Sequence, residues 1–275
     1  MKTLILSDLH LGTDTSCSKK YLDGLRGLAR QFDRVILNGD TFDRFDPDQR
    51  CEGTRQLLRD VRDACTSRSG PPTMLTGNHD PFISDTHWVY LPQSATLVFH
   101  GDCIADCTHP TKPEEQTLAA AMAQQWIKLG GRPDRFLDLI DVHRRVQGQF
   151  LRENPPICEP RKVLRYLLAA CFPPQRPLHV LRYWYRAPGA VGRLASTFDQ
   201  PVRNAVFGHT HRPGRWQTGT VTVFNTGSFM PLSRPYAVIC EGTNVHAQPL
   251  LPLLQSTRLV ASPLSLAQGT PPRNP

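Results

Sequence analysis

Five short polar motifs occur in order along the chain: Asp8-Leu-His10, Gly39-Asp40, Gly77-Asn78-His79-Asp80, His100-Gly101 and Gly208-His209-Thr210-His211. Each directly follows a short apolar run. Asp, His and Asn together make a mixed nitrogen and oxygen donor set without thiolate. That set suits Mn, Fe, Zn, Ni or Co better than a thiolate-bound structural zinc. A single motif of this kind would mean little, because Asp and His are common in loops. Five in order point to one shared metal site. Seven ligands drawn from them exceed the three or four of a mononuclear catalytic zinc. Two ions about 3.5–4 Å apart, bridged by one carboxylate, would use them all. The bridge has to be central, and Asp40 is the natural choice.

The elements that must bring these groups together are legible around them. Thr3 to Leu6, Arg34 to Leu37, Thr73 to Leu75 and Thr96 to Phe99 read as strands, with helical apolar spacing over 19–32 and 53–66 between them. Strands alternating with helices indicate βαβ units and a mostly parallel sheet. Ligand crevices form at the carboxyl ends of such strands, where all five motifs fall. After residue 204 closely spaced strands follow at 204–207, 220–225, 236–240 and 244–249, so a second, antiparallel or mixed sheet is expected. The block 103–203 reads as helical, with spacing over Thr117–Leu129, Asp134–Glu153 and Arg161–Phe172 separated by Pro-containing breaks. Such an insertion forms a lid over the sheet edge or serves as structural padding. The expected organisation is a core of 1–102 and 204–254, an insertion of 103–203 and a loose Pro-, Ser- and Thr-rich tail from 255 to 275.

The order D-x-H, GD-x-x-D-R, GNHD, HG and GHTH resembles the calcineurin-like metallophosphoesterase superfamily, over residues 1–102 and 204–240. The resemblance implies an α/β fold, a two-sheet α/β/β/α sandwich with a helical insertion. It implies a first ion held by Asp8, His10, Asp40 and His211, and a second by Asp40, Asn78, His100 and His209. A hydroxide activated between the two ions, Mn above all, would attack phosphorus in line. His79 would then be the general acid or a cation stabilising the transition state, with Asp43 orienting it. Arg44 would contact the phosphoryl group, or pair with Asp46 or Asp48. Asp80 reads as a partner to the ligands or as a cap, and Asp102 as a group orienting a ligand histidine. Arg212 and the stretch Asn225 to Ser228 read as structural loops around the site.

Net charge divides the chain further. The total is +8, yet residues 1–102 are net −2, 103–204 net +6 and 205–275 net +4. The insertion combines its charge with Trp126, Arg144-Arg145, Arg161-Lys162, Arg165-Tyr166 and the run Arg182-Tyr-Trp-Tyr-Arg186. Arginine beside aromatic rings suits an anionic, partly apolar ligand, so Asn78, Arg182 and Arg186 are the candidate substrate contacts. The run Phe99 to Asp102 before a helical insertion, then GHTH-Arg-Pro, resembles the UDP-2,3-diacylglucosamine diphosphatase branch. That branch implies an amphipathic pyrophosphate substrate and peripheral contact with the inner membrane. The chain departs from it at GD-x-x-D-R. Phosphatase or phosphodiesterase action on nucleotides or phosphoproteins is the alternative. A catalytically silent binding scaffold is a further one, and no second nucleic-acid module is visible.

Composition limits the remaining choices. Hydrophobic content of 39% and charged content of 20% exclude a disordered or collagen-like chain. No apolar run approaches the roughly 18–20 residues of a membrane span, and the first residues do not read as a secretory signal. Eight scattered cysteines read as reduced thiols in a cytoplasm. Cys103, Cys107 and His109 have spacing that could bind zinc, without an obvious fourth ligand.

Overall fold

A computed structural model describes residues 1–13, 16–43, 52–104, 113–153 and 176–261. Arg44, Cys107, His109 and the helix expected over Arg161–Phe172 lie outside the described residues.

The first sheet has the order β10-β9-β1-β2-β3. Its strands are β1 (Lys2–Leu6), β2 (Arg34–Asn38), β3 (Thr73–Leu75), β9 (Tyr236–Glu241) and β10 (Asn244–Pro249). β1, β2 and β3 run parallel, with Ile5 opposite Ile36 and Leu37 opposite Met74, and β9 and β10 join antiparallel. The second sheet has the order β4-β5-β6-β8-β7. It contains β4 (Trp88–Leu91), β5 (Thr96–Phe99), β6 (Asn204–Phe207), β7 (Gly214–Thr218) and β8 (Val221–Asn225). Here β5, β6 and β8 are parallel, and the edge strands β4 and β7 antiparallel.

The two-residue period of a strand sorts its side chains between layers. Ile5, Ile36, Leu75, Val98, Val206, Phe224 and Val238 interdigitate between the sheets. Their neighbours Leu4, Leu6, Val35 and Leu37 face outward instead, onto α1 (Leu22–Ala29), α2 (Glu52–Ala64) and α6 (Leu250–Ala261). On the far side Leu97, Phe99, Ala205, Phe207 and Val223 pack against Phe136, Leu139 and Ile140 of α4 (Phe136–Glu153) and Ala187, Val191 and Leu194 of α5 (Arg176–Ala195). The result is the expected α/β/β/α sandwich of two mixed sheets. Two helices of the insertion supply its fourth layer. A third described helix of the insertion, α3 (Pro113–Lys128), packs on α4.

Three elements escape the apolar pattern, each for a physical reason. β4 and β7 pair on one side only. In β7, Arg215 and Gln217 point to solvent, so the strand lacks a continuous apolar run. α5 carries Pro188, Gly189 and Gly192, residues that ordinarily interrupt a helix. It persists because its buried face packs on the second sheet. The helix expected over 19–32 is a 3-10 turn at Ser18–Tyr21 followed by α1. Residues 255–261 of the expected tail are helical, because α6 continues to Ala261 with Leu250 and Leu254 buried against the core. No helix among the described residues is long and apolar enough to cross a membrane.

Candidate metal centre

The loops after β1, β2, β3, β5 and β6 meet at one end of the sandwich. Backbone bonds weld them: Asp8 donates to the Gly39 carbonyl at 3.1 Å, His10 to that of Asp40 at 3.0 Å, and Gly208 to that of His100 at 2.9 Å. Asn38, at the end of β2, joins the two sheets by donating its side-chain amide to the Phe99 carbonyl at 3.0 Å.

Asp8, His10, Asp40 and His211 form one donor group, with ligand atoms all within 4.8 Å of one another. Asp40, His100 and His209 form a second of the same dimension, so Asp40 is common to both. The Asn78 side-chain oxygen joins the second group, 3.2 Å from His100 Nε2 and 2.8 Å from His209 Nδ1. In the first group His211 Nε2 lies 3.2 Å from Asp8 and 3.0 Å from His10 Nε2. In the second, His100 Nε2 lies 3.3 Å from Asp40. The tertiary structure thus brings together all seven expected ligand positions.

This donor set fits divalent cations on grounds of its own. Nitrogen and carboxylate atoms converge from two sides on Asp40, in a site where Asp8, His10, Asp40 and His100 are buried and Asn78, His79, His209 and His211 are half-buried. Asp8, His10, Asp40, His209 and His211 all have positive φ, between 48° and 62°. For non-glycine residues this region costs about 1 kcal/mol or more each and collects at functional sites. The glycines beside them are needed for close approach. A Cβ on Gly77 would stand 2.2 Å from the Asp40 carboxylate, and one on Gly208 2.3 Å from that of Asp8.

Charge follows the same geometry. Burial opposes ionisation of Asp40, yet the surrounding His100, His79 and His10 outweigh it and hold the carboxyl well below the ordinary range. Asp8 is lowered for the same reason, with His211 as its main partner against burial. Burial pushes His209 down to about 4, the neutral form a metal ligand needs.

Asp80 has a definite role that its position in the motif left open. Its buried carboxylate accepts four backbone N–H groups: Gly77 at 2.9 Å, Asp40 at 3.0 Å, Thr41 at 2.7 Å and Phe42 at 3.2 Å. It clamps the β2 loop to the β3 loop. Burial and the nearby Asp40 push its pKa up to about 7, against the pull of those N–H donors. His79 donates its backbone N–H to Asp40 at 2.9 Å and its ring Nδ1–H to the carbonyl of Asp43 at 2.7 Å. The Asp43 carboxylate stands 3.5 Å from both His79 Nδ1 and His10 Nδ1. Its backbone carbonyl therefore makes the closer contact with His79. Asn225 supports the last motif, donating to the Gly208 carbonyl at 2.6 Å and the Thr210 hydroxyl at 3.1 Å.

Several readings of the insertion change. Arg144 is buried on Asp102, and Arg145 is the exposed member of the pair, in contact with Asp141. Asp102 makes its contacts with Arg144 and His143, so it is bonded away from the ligand histidines. Cys103 is buried, and burial with the nearby Asp102 pushes its thiol up to about 12, a setting that disfavours a thiolate ligand. Arg182 and Arg186 are exposed on α5. Between them Trp184 donates to the Thr210 carbonyl at 2.8 Å, and Tyr183 lies edge-on to His209 at 6.0 Å.

A sandwich of this topology, with two histidine–carboxylate donor groups sharing one aspartate, defines a metallophosphoesterase-type protein. Residues 1–213 match the family model described as calcineurin-like phosphoesterase, and the chain belongs to that family. Among solved structures it is similar to a conserved protein of Streptococcus pneumoniae described as a predicted phosphoesterase. That likeness has 14% identity, 90% of this chain and 88% of that chain covered, and a TM-score of 0.34. It is also similar to Vps29 of Entamoeba histolytica complexed with zinc, at 13% identity, with 91% and 93% covered and a TM-score of 0.38. The curated proteins contain no match to the chain.

Proposed function

We propose that this protein is a two-metal phosphohydrolase that cleaves a phosphoester or pyrophosphate bond. The observation that carries the reading is the position of Asp40, shared by two donor groups that between them use all seven ligand side chains. Divalent ions held there supply a nucleophile near neutral pH and polarise the phosphoryl oxygens. Asp8, His10 and His211 would hold one ion with Asp40, and Asn78, His100 and His209 the other. His79 keeps Nδ1 committed to the Asp43 carbonyl, so Nε2 is the atom that carries a proton to the leaving oxygen. Its side chain, 26% exposed at the edge of the site, is open to a substrate.

The substrate reading is an anionic, amphipathic phosphate compound, with a UDP-linked lipid precursor first among those to test. Leu178, Leu181 and Tyr185 are exposed along α5 beside Arg182 and Arg186, and the same helix touches the GHTH loop. This surface pairs apolar contact with positive charge, as such a ligand or an anionic membrane surface requires.

The test is a panel of a UDP-linked diacyl lipid, simple phosphodiesters, nucleotides and phosphomonoesters, run with Mn²⁺ and with product identification. Turnover should require the metal, vanish with chelator and favour the lipid-linked pyrophosphate. Preference for simple esters would replace the lipid reading by a general phosphatase or phosphodiesterase. Failure of the metal-replete protein on every substrate would overturn hydrolysis itself.

A further inference from the structure

The loop that carries Asn78 and His79 is held from two sides. Asp80 collects N–H groups on one side, as described above. On the other, three successive carbonyls, those of Thr76, Gly77 and Asn78, are all taken up by the insertion helix α4. Arg144 donates from Nη2 to Thr76 at 3.0 Å and from Nη1 to Gly77 at 3.2 Å. Gln147 donates its side-chain amide to the Asn78 carbonyl at 3.3 Å. Arg144 and Gln147 are three residues apart, hence on one face of the helix. They are joined through a 2.9 Å bond from Arg144 Nη1 to the Gln147 side-chain oxygen.

Both donors are held in turn. Asp102, in the turn that leaves the His100-Gly101 motif, grips the Arg144 guanidinium with both oxygens at 2.8 Å each. His143 Nε2 stands 3.2 Å from the same carboxylate. Arg144 is 7% exposed and Gln147 1%, so the contact is dry. A planar guanidinium offers two parallel N–H bonds to Asp102 from Nη1 and Nη2 while the same two nitrogens reach backbone carbonyls. A lysine ammonium lacks that fork.

We propose that Arg144 and Gln147 are positioning residues for the second metal position, setting the peptide planes of residues 76–78 so that the Asn78 side chain stands between His100 and His209. The insertion is then a working part of the metal centre, connected from the His100 turn through Asp102 and Arg144 to Asn78. The inference rests on the two-ion reading above and concerns residues that make no contact with the metal ligands' own donor atoms.

The test is equilibrium dialysis of Mn²⁺ into chelator-stripped protein, with folding checked by circular dichroism and thermal melting. Arg144→Lys keeps the charge opposite Asp102 and loses the fork. Gln147→Met keeps shape and loses one bond. Wild type should bind two ions. Each variant should keep one ion at wild-type affinity and weaken the other about 10–100-fold, the usual effect of removing a group that orients a ligand. Asn78→Ala should weaken the same ion, and Gln147→Met should add nothing in that background, because it acts through Asn78. Wild-type affinity for both ions in folded Gln147→Met, or an undiminished effect in the Asn78→Ala background, would overturn the proposal. Should Arg144→Lys fail to fold, Gln147→Met and the Asn78→Ala pair decide alone. A wild-type protein that binds two ions but hydrolyses nothing refutes the functional reading and leaves the dialysis result to decide positioning. One that binds fewer than two refutes both.

Discussion

His100 donates its Nδ1–H to the backbone carbonyl of Asn38 at 2.9 Å. A carbonyl can only accept, so Nδ1 carries a proton, and Nε2 is the nitrogen left facing Asp40 and Asn78, where it could ligate a metal ion. The contact crosses from the second sheet to the end of β2 in the first. His100→Ala should reduce bound Mn²⁺ from two ions to one and lower kcat at least 100-fold, read by elemental analysis and steady-state kinetics. Two ions in the variant would remove His100 from the ligand set.

Asp80 should be as costly to lose as any ligand, although it makes no contact suited to a metal. Asp80→Asn replaces one carboxylate oxygen by an amide donor and leaves at least one of its buried N–H groups facing another donor. Destabilisation of about 3 kcal/mol or more is expected, measured by denaturant unfolding with chelator present. Metal content should fall with it, since Asp40 loses its clamp.

His79→Ala should leave both ions in place and slow turnover by about 100- to 10,000-fold. The loss should depend on the leaving group, being large for a sugar or nucleoside alcohol and small for p-nitrophenol, which departs without a proton. An equal loss for both would remove His79 as the general acid.

Asp102 makes a pH prediction with a definite sign. Its folded pKa lies well below the ordinary carboxyl value, against burial, because of Arg144 and His143. Its contribution to stability is therefore complete above the unfolded pKa of about 3.9 and is lost as pH falls below it. Asp102→Asn should lower stability at neutral pH by about 3 kcal/mol or more. It should also make the acid limb of the stability profile shallower by about one proton, measured by denaturant titrations of the metal-free protein. An unchanged acid slope would show that Asp102 is not held ionised.

Much of this molecule was written locally. The strands β1, β2, β5 and β6 announce themselves as apolar runs, and the polar residues after them must lie at strand ends because the chain leaves the sheet there. The motifs carrying Asp8, His10, Asp40, Asn78, His100, His209 and His211 are legible in the sequence, and their resemblance to the calcineurin-like phosphoesterases implies which of their residues are donors. Local pattern failed where burial depends on a partner distant in sequence. β4 and β7 are edge strands, recognisable only by their pairing. The Pro- and Gly-bearing α5 is a helix because of the sheet beneath it. Arg144 looked like surface charge beside Arg145, although it falls four residues after Ile140 and eight after Phe136, on the stripe that faces the core.

The order of strands and helices and the chemistry of the donors are legible in the sequence, because strand periodicity and ligand type are properties of neighbouring residues, and the layer architecture followed from the family resemblance. Only the tertiary structure decided how the donors divide into two groups around Asp40, which hydrogen bond fixes the free nitrogen of His100, and that Asp80, Arg144 and Gln147 hold the loop carrying Asn78. Those facts depend on contacts between residues as far as 201 apart in the chain, and no local pattern specifies which buried carboxylate meets which buried guanidinium. The +8 charge resolves in the same way. Arg144 is spent inside the protein, whereas Arg182 and Arg186 remain exposed on α5.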